Sequence, residues 1–308
     1  MPSWTAENVP DLTGKTVLLT GANSGIGLAA ARVFARRGAT LVLACRDPRK
    51  GASALQQIAL ESPAARVELL ELDLASLASV EQAAKRFARG HAQLDVLCNN
   101  AGVMAIPRAL TAEGFELQFG VNHLGHFALT GRLIDRLLAA GGARIVTVSS
   151  AAHRIGTIAF DDIDGARGYQ EWLAYGQSKL ANLLFAFELQ RRLQARGLLA
   201  ISVACHPGYA DTNLQQVGPA QRGSRVGAAF FRVANALFAQ SAERGAWPTL
   251  YAATAPEVQG GDYIGPGGPG ELAGAPRRVR ARRAAYDLDV ARRLWELSVE
   301  RTGVDPAP

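Results

Sequence analysis

Residues Lys15–Gly27 read KTVLLTGANSGIG, a short apolar run that ends in a cluster of glycines. The run Lys15–Thr20 has the leucine- and valine-rich character of a buried strand, and Gly25–Arg37 carries a helical pattern closed by Gly38. Between them the glycines are spaced G-x-x-x-G-x-G, a variant of the commoner G-x-G-x-x-G. Gly21 permits a tight exit from the strand. Gly25 and Gly27 remove side chains where backbone approaches a pyrophosphate, and the helix start offers N–H groups to an anion. Glycine-rich turns occur in many α/β proteins. Here strand, turn and helix stand in the order that predicts a dinucleotide site, built from Gly21, Asn23, Ser24, Gly25, Ile26 and Gly27.

Working outward, Thr40–Arg46 (TLVLACR) reads as a second strand, followed by a helix with Pro48 in its first turn. Val67–Leu74, Leu94–Asn99, Arg144–Ser149 and Leu199–Cys205 supply further strands, separated by helical sequence. Near-continuous apolar strands imply a sheet covered on both faces, and regular strand–helix alternation implies parallel order. The expected fold is α/β, a doubly wound Rossmann fold with a mostly parallel sheet, and residues 1–308 form one domain. The tail differs. Residues 213–240 contain no strand-like run, Gly260–Ala275 is rich in glycine and proline around DYIG, and 284–302 reads as an amphipathic helix carrying Leu288, Leu294, Trp295, Leu297 and Val299. Residues 209–247 and 260–308 are expected to shape the substrate side, with Phe230, Phe231, Leu237, Phe238 and Trp247 lining an apolar pocket.

The composition, 48% hydrophobic and 19% charged, is that of a globular chain. Its net charge of +6 suits an anionic ligand or nucleic acid and decides neither. Cys45, Cys98 and Cys205 form no C-x-x-C pair and each lies in an apolar run, which fits buried free thiols in a reducing compartment. The start, MPSWTAENVPDLTGK, has no basic region followed by an apolar one, and the apolar stretch 227–239 is interrupted by Arg232. A cytoplasmic protein without a membrane anchor is expected.

Two further stretches carry chemistry. The second strand ends in ACRDPRK, where a carboxylate selects NAD and an arginine selects the 2′-phosphate of NADP. Arg46 and Asp47 are adjacent, so the register decides. Arg46 continues the apolar run while Asp47-Pro48 looks like a helix start, which favours NADP(H), with NAD(H) as the alternative. Tyr175–Lys179 reads YGQSK. On a helix, residues at i and i+4 share a face, and a lysine held there favours the phenolate and lowers the tyrosine pKa toward the range of a general acid or base. The spacing alone also fits an ordinary helix with a partly buried Tyr and a solvated Lys.

The order TGANSGIG, NNAG at Asn99–Gly102, VSS at Val148–Ser150, YGQSK and HPGYADT at His206–Thr212 resembles the short-chain dehydrogenase/reductase family. CRD after the second strand, VNHLGHF at Val121–Phe127, SKLAN at Ser178–Asn182 and the tail ARRLWELSVERTGV are similar to its retinol dehydrogenase and protochlorophyllide reductase-like branch. The resemblance implies an NAD(P)-dependent oxidoreductase that interconverts a carbonyl and an alcohol. It implies that Tyr175 exchanges the proton at the substrate oxygen, that Lys179 holds the nicotinamide ribose, and that Ser150, rather than Ser149, hydrogen-bonds the substrate oxygen. It implies that Asn122 completes a water relay to the lysine. Asp73 and Leu74 would border the adenine, Asn99, Ala101 and Gly102 the adenosine side, and Pro207, Gly208 and Thr212 the nicotinamide end. Members are often dimers or tetramers, so a homo-oligomer is allowed.

Tyr175 follows Ser150 by 25 residues, a longer spacing than in many relatives, and the insert FDDIDGARGYQEW is expected to form one wall of a substrate pocket. Asp161, Asp162 and Asp164 within it lack calcium-loop spacing and read as loop carboxylates. His123 and His126 read as packing or surface residues, His153 as a bystander at the site's border, and Cys205 as a buried thiol rather than a nucleophile. The run Pro276–Arg283 (PRRVRARR) holds five arginines without a groove-reading motif, so a solvated basic loop is expected and no nucleic-acid partner. The expected activity is NADP-dependent turnover of a lipophilic small molecule. The alternatives are a non-catalytic NADP-binding regulator, or a nucleic-acid-associated protein using the arginine run.

Overall fold

The computed structural model describes residues 3–209 and 241–308. Its centre is one eight-stranded sheet in the order β3-β2-β1-β4-β5-β6-β7-β8. The strands are β1 (Thr16–Thr20), β2 (Thr40–Cys45), β3 (Arg66–Glu71), β4 (Val96–Asn99), β5 (Arg144–Val148), β6 (Ile201–Cys205), β7 (Tyr263–Pro266) and β8 (Pro276–Arg278). Neighbouring strands from β3 through β7 pair in parallel, and β8 alone runs antiparallel. The chain order reverses between β1 and β4, which opens a crevice beyond the carboxyl ends of those strands.

Helices cover both faces because the central strands are apolar on both sides. α1 (Gly25–Arg36), α2 (Pro48–Glu61) and α7 (Ala242–Thr254) pack on one face around Phe34, Ile58 and Leu250. α3 (Leu77–Gly90), α5 (Gly125–Ala139) and α6 (Glu171–Ala195) pack on the other around Phe87, Phe127 and Phe185. A short helix, α4 (Leu117–Phe119), runs through a π turn at Gly120–Leu124 into α5. The C-terminal α8 (Leu288–Thr302) lies against α6, and Trp295 joins Phe127 and Phe185 with ring centroids 5.1 and 5.9 Å away.

Several boundaries depart from the sequence expectation. β3 stops at Glu71 rather than Leu74, because the Asp73 carboxylate accepts from Ala75 N–H (2.9 Å) and turns the chain. β3 is also an edge strand, and its exposed and covered residues alternate in place of a continuous apolar run. The arginine run is not a solvated loop throughout. Its first residues form β8, Arg278 pairs with Asp262 (2.7 Å), and Arg282 donates to the carbonyls of Arg154 (2.8 Å) and Gly156 (2.9 Å). Trp247 packs against the core beside α1, so that core and not a substrate pocket takes its ring. Phe230, Phe231, Leu237, Phe238 and the stretch 227–239 lie outside the described residues. Cys45, Cys98 and Cys205 are free and buried, as expected.

α8 is helical close to the expected bounds, but its buried stripe is Ala291, Leu294, Trp295, Ser298 and Thr302, while Leu288 is 53% exposed. Trp295 also carries the Arg192 guanidinium over its ring at 4.2 Å and donates to Asp305 (3.0 Å). Trp295→Ala is therefore expected to lower unfolding free energy by about 3–5 kcal/mol. Leu288→Ala is expected to change it by no more than about 0.5 kcal/mol. Urea denaturation followed by fluorescence and circular dichroism checks both.

Candidate active site

The glycine turn after β1 is held from behind by one hydroxyl. Thr20 Oγ1 accepts from Asn100 N–H and Ala101 N–H (each 2.9 Å) and lies 3.3 Å from Cys98 O and 2.9 Å from His126 Nε2. Asn100 Nδ2 returns a bond to Thr20 O (2.7 Å). Gly21 has φ +68°, and a Cβ there would stand 2.9 Å from Ala101 Cα. At Gly27 a Cβ would meet the Gly21 carbonyl at 2.2 Å, so the turn itself requires this glycine. Ser24 precedes α1 in extended backbone without a side-chain cap, which leaves the first N–H groups of α1 without a side-chain acceptor. Asn23, Ser24, Gly25 and Ile26 are partly exposed around them. That surface fits a pyrophosphate. Thr20 and Asn100 were missed as its scaffold, although both lie inside motifs visible in the sequence.

At the end of β2 the carboxylate of Asp47 accepts from Arg49 N–H (2.9 Å) and Lys50 N–H (3.2 Å), capping α2. Arg46 is exposed beside it with no side-chain hydrogen bond or ion pair among the described residues. Asp73 is partly exposed at the crevice, and Leu74 is buried against Gly125. The Asn99 side chain is 1% exposed and donates to Thr130 Oγ1 (3.1 Å) on α5, so it braces the helix behind the crevice. Gly102 touches the other end of the site, since a Cβ there would lie 2.9 Å from Asn122 Oδ1 and 3.6 Å from Lys179 Nζ. Gly208 (φ +72°) packs so closely that a Cβ would meet Leu272 O at 2.4 Å, and Pro207 precedes it, partly exposed. Thr212 lies outside the described residues.

Tyr175 and Lys179 share one face of α6 and are 5% and 4% exposed. Lys179 Nζ stands 5.6 Å from the Tyr175 ring centroid and donates to Val148 O (3.1 Å). Ser149 is occupied elsewhere, donating to the Lys179 carbonyl (2.8 Å), whereas the Ser150 hydroxyl is near enough to the Tyr175 phenol to pull its pKa down. Asn122, in the π turn, accepts from Val103 N–H (2.8 Å) and donates to Val103 O and Ser178 Oγ (each 2.9 Å). Ser178 Oγ donates in turn to the carbonyl of Tyr175 (2.8 Å). Both amide hydrogens of Asn122 are thereby committed to holding loop and helix.

The electrostatics correct one expectation. Burial pushes the Tyr175 phenol up to about 12, with the Ser150 hydrogen bond pulling the other way. Burial also pushes Lys179 down to about 8, opposed by the nearby Cys205. The downward shift expected for tyrosine from the Y-x-x-x-K spacing is absent, because both groups are desolvated and the ammonium is turned to a backbone carbonyl. Cys205 itself is raised to about 12 by burial, and Cys98 is raised also, so both are thiols. The turn carrying Ser150 is fixed by His153, whose Nδ1 donates to Ser150 O (2.7 Å) while Nε2 accepts from Arg282 N–H (3.2 Å). His123 lies 2.9 Å from Ser298 Oγ on α8, so it is spent on packing.

The insert before α6 builds the outer wall. Asp162 accepts from Ala166 N–H (2.8 Å), and Asp164 accepts from Glu116 N–H (3.0 Å) and from Arg301 (2.8 Å). Buried Glu116 accepts from Gln118 N–H, Phe119 N–H and the Tyr169 hydroxyl, and Gln118 Nε2 donates to Tyr169 Oη (2.8 Å). Pro107, Arg108, Tyr169, Gln170, Glu171 and Trp172 line a cleft of about 510 Å³. The Trp172 ring stands edge-on to that of Tyr175 at 6.1 Å.

The model of the family described as short chain dehydrogenase matches residues 15–222. Retinol dehydrogenase 12 of Mus musculus is 40% identical over 295 residues, spanning 95% of this chain and 88% of that protein. Polyprenol dehydrogenase of Mus musculus is 41% identical over 302 residues, 96% of this chain and 86% of that protein. A crystal structure of a protein from Mycobacterium Paratuberculosis superposes with a TM-score of 0.82 at 44% identity, covering 100% of both chains. With the glycine turn, the Ser150–Tyr175 contact and the buried Lys179 already in view, the chain belongs to the short-chain dehydrogenase family, as an oxidoreductase of the retinol dehydrogenase-like kind.

Proposed function

We propose that this chain is an NADP(H)-dependent reductase of lipophilic aldehydes or ketones, with Tyr175 as its proton donor. The observation that carries this reading is the buried phenol of Tyr175 with the buried Lys179 ammonium 5.6 Å from its ring, a phenol that burial raises to about 12. At neutral pH such a phenol is protonated, which suits it to give a proton to a developing alkoxide and makes it a poor base. When bound, the nicotinamide dinucleotide supplies the hydride. Ser150 orients the carbonyl oxygen and stabilises the charge that grows on it. Lys179, shifted to about 8, is still mostly charged at pH 7 and stabilises the phenolate left after transfer. Asn122 holds the Val103 loop and the Ser178 turn around these groups.

Exposed Arg46 favours the 2′-phosphate because the neighbouring carboxylate of Asp47 is committed to capping α2. A lipophilic substrate agrees with relatives named for retinol and polyprenol, and with the apolar surface that Ile155, Trp172, Leu173 and Leu272 expose. Among the described residues no helix is long and apolar enough to cross a membrane. We read 209–247 and 260–308 as segments that shape the substrate side of a single domain.

Tyr175→Phe is expected to lower turnover of retinal-like and aryl carbonyl substrates by about 10²–10⁴-fold while NADPH affinity is retained. Undiminished NADPH oxidation would overturn the proton-donor assignment. Arg46→Asp is expected to weaken NADPH binding by about tenfold or more and to spare NADH, as measured by nucleotide fluorescence titration.

The lysine makes a separate prediction. Unfolded, Lys179 returns to its ordinary 10.5, so between about 8 and 10.5 the unfolded chain binds a proton that the folded chain does not. Stability relative to Lys179→Met therefore rises with pH across that window. Urea titrations of both proteins without cofactor at pH 7.5, about 8.5 and about 9.5 check the slope, and a flat difference would contradict the buried, depressed lysine.

A further inference from the structure

His126 is 1% exposed, lies on α5 behind the crevice and has no part in the proton transfer just described. Its two ring nitrogens touch the two halves of the site. Nε2 lies 2.9 Å from Thr20 Oγ1, the hydroxyl that anchors the glycine turn. Nδ1 lies 3.0 Å from the backbone carbonyl of Asn122 in the π turn. The hydrogen positions follow from the partners. A carbonyl only accepts, so Nδ1 donates and carries the proton of a neutral ring, which leaves Nε2 as acceptor. The Thr20 hydroxyl already accepts from two amides, and its own hydrogen faces two acceptors, Nε2 at 2.9 Å and the more distant Cys98 O at 3.3 Å, of which Nε2 is the shorter contact. Burial holds the ring neutral, its pKa lowered to about 4, with the charge of Lys179 acting in the same direction.

We propose that His126 is a positioning residue that ties the cofactor-binding turn to the catalytic helix through one continuous hydrogen-bond path. The path runs from Thr20 Oγ1 to His126, from His126 to Asn122, from Asn122 Nδ2 to Ser178 Oγ, and from Ser178 Oγ to the carbonyl of Tyr175. The inference rests on the oxidoreductase reading of the site.

Conservative variants cut the path at different points. Asparagine puts an amide N–H where Nδ1–H sits and cannot reach Thr20, while glutamine puts an amide oxygen near Nε2 and leaves the Asn122 carbonyl without its donor. His126→Asn is expected to raise the NADPH dissociation constant about tenfold with kcat within about twofold of wild type. His126→Gln is expected to show the reverse, kcat about tenfold lower with NADPH affinity within about twofold. His126→Phe, which fills the volume and keeps neither contact, is expected to show both losses. NADPH affinity is read by fluorescence titration and by the Tm rise on saturation, kcat by substrate turnover. If His126→Asn does not fold, the retained NADPH affinity and lowered kcat of the Gln variant decide. If His126→Gln does not fold, the retained kcat of the Asn variant decides. Equal losses of both parameters in the Asn and Gln variants, or no loss in either, would overturn the assignment of one anchor to each ring nitrogen and leave His126 a packing residue. Failure of Tyr175→Phe to lower turnover would instead overturn the underlying reading, whatever the His126 variants do.

Discussion

The ammonium of Lys179 sits under the ring of Tyr175 with almost no access to water, and much of the architecture serves to keep it there. Taking such an ion out of water costs several kcal/mol, and a short helix would relieve the cost by turning outward. α6 cannot turn. The Val148 carbonyl at the end of β5 accepts from both Lys179 and Asn182, and Ser149 in the same strand exit holds the Lys179 carbonyl. On its far side Phe185 is packed by Phe127 and Trp295, so the C-terminal helix backs the helix that carries the chemistry. The tail is therefore a structural support for the site as well as a cover for the sheet.

The same arrangement explains why so many polar groups are buried in this region. His123, His126, His153 and His206 are each buried, and each places at least one ring nitrogen on a hydroxyl, a backbone group or a carboxylate. His206 joins Glu271 (3.1 Å), which also binds Arg154 (3.0 Å), and so fastens the glycine-rich 267–275 loop beside the Ser150 turn. Such networks are stabilising only when complete, because an unpaired polar group at these depths would cost more than the bond it replaces. They give a rigid floor on which small displacements of substrate or cofactor matter.

The layout was largely legible in the sequence because it rests on local signals. Apolar runs of strand length, a glycine turn after the first and a capping Asp-Pro after the second lead directly to a parallel sheet and to the helix-capping role of Asp47. What was not legible depends on long-range neighbours. Asn99 and Asn100 are adjacent in NNAG, yet one braces α5 and the other holds the glycine turn, a division that only the strand-end geometry determines. The pKa directions of Tyr175 and Lys179 follow from burial by several elements at once, and spacing along one helix reports none of them. β8 escaped notice because an arginine-rich run lacks every apolar cue of a strand and is recruited by backbone pairing with Ile264 and its neighbours.

That last strand decides how copies of the chain can meet. By lying antiparallel along β7 it occupies the backbone groups through which another protomer would extend the sheet. The new outermost strand exposes Arg277 and ties Arg278 to Asp262. Edge-to-edge growth is disfavoured on that side, so a stable assembly there would have to be built from helix surfaces.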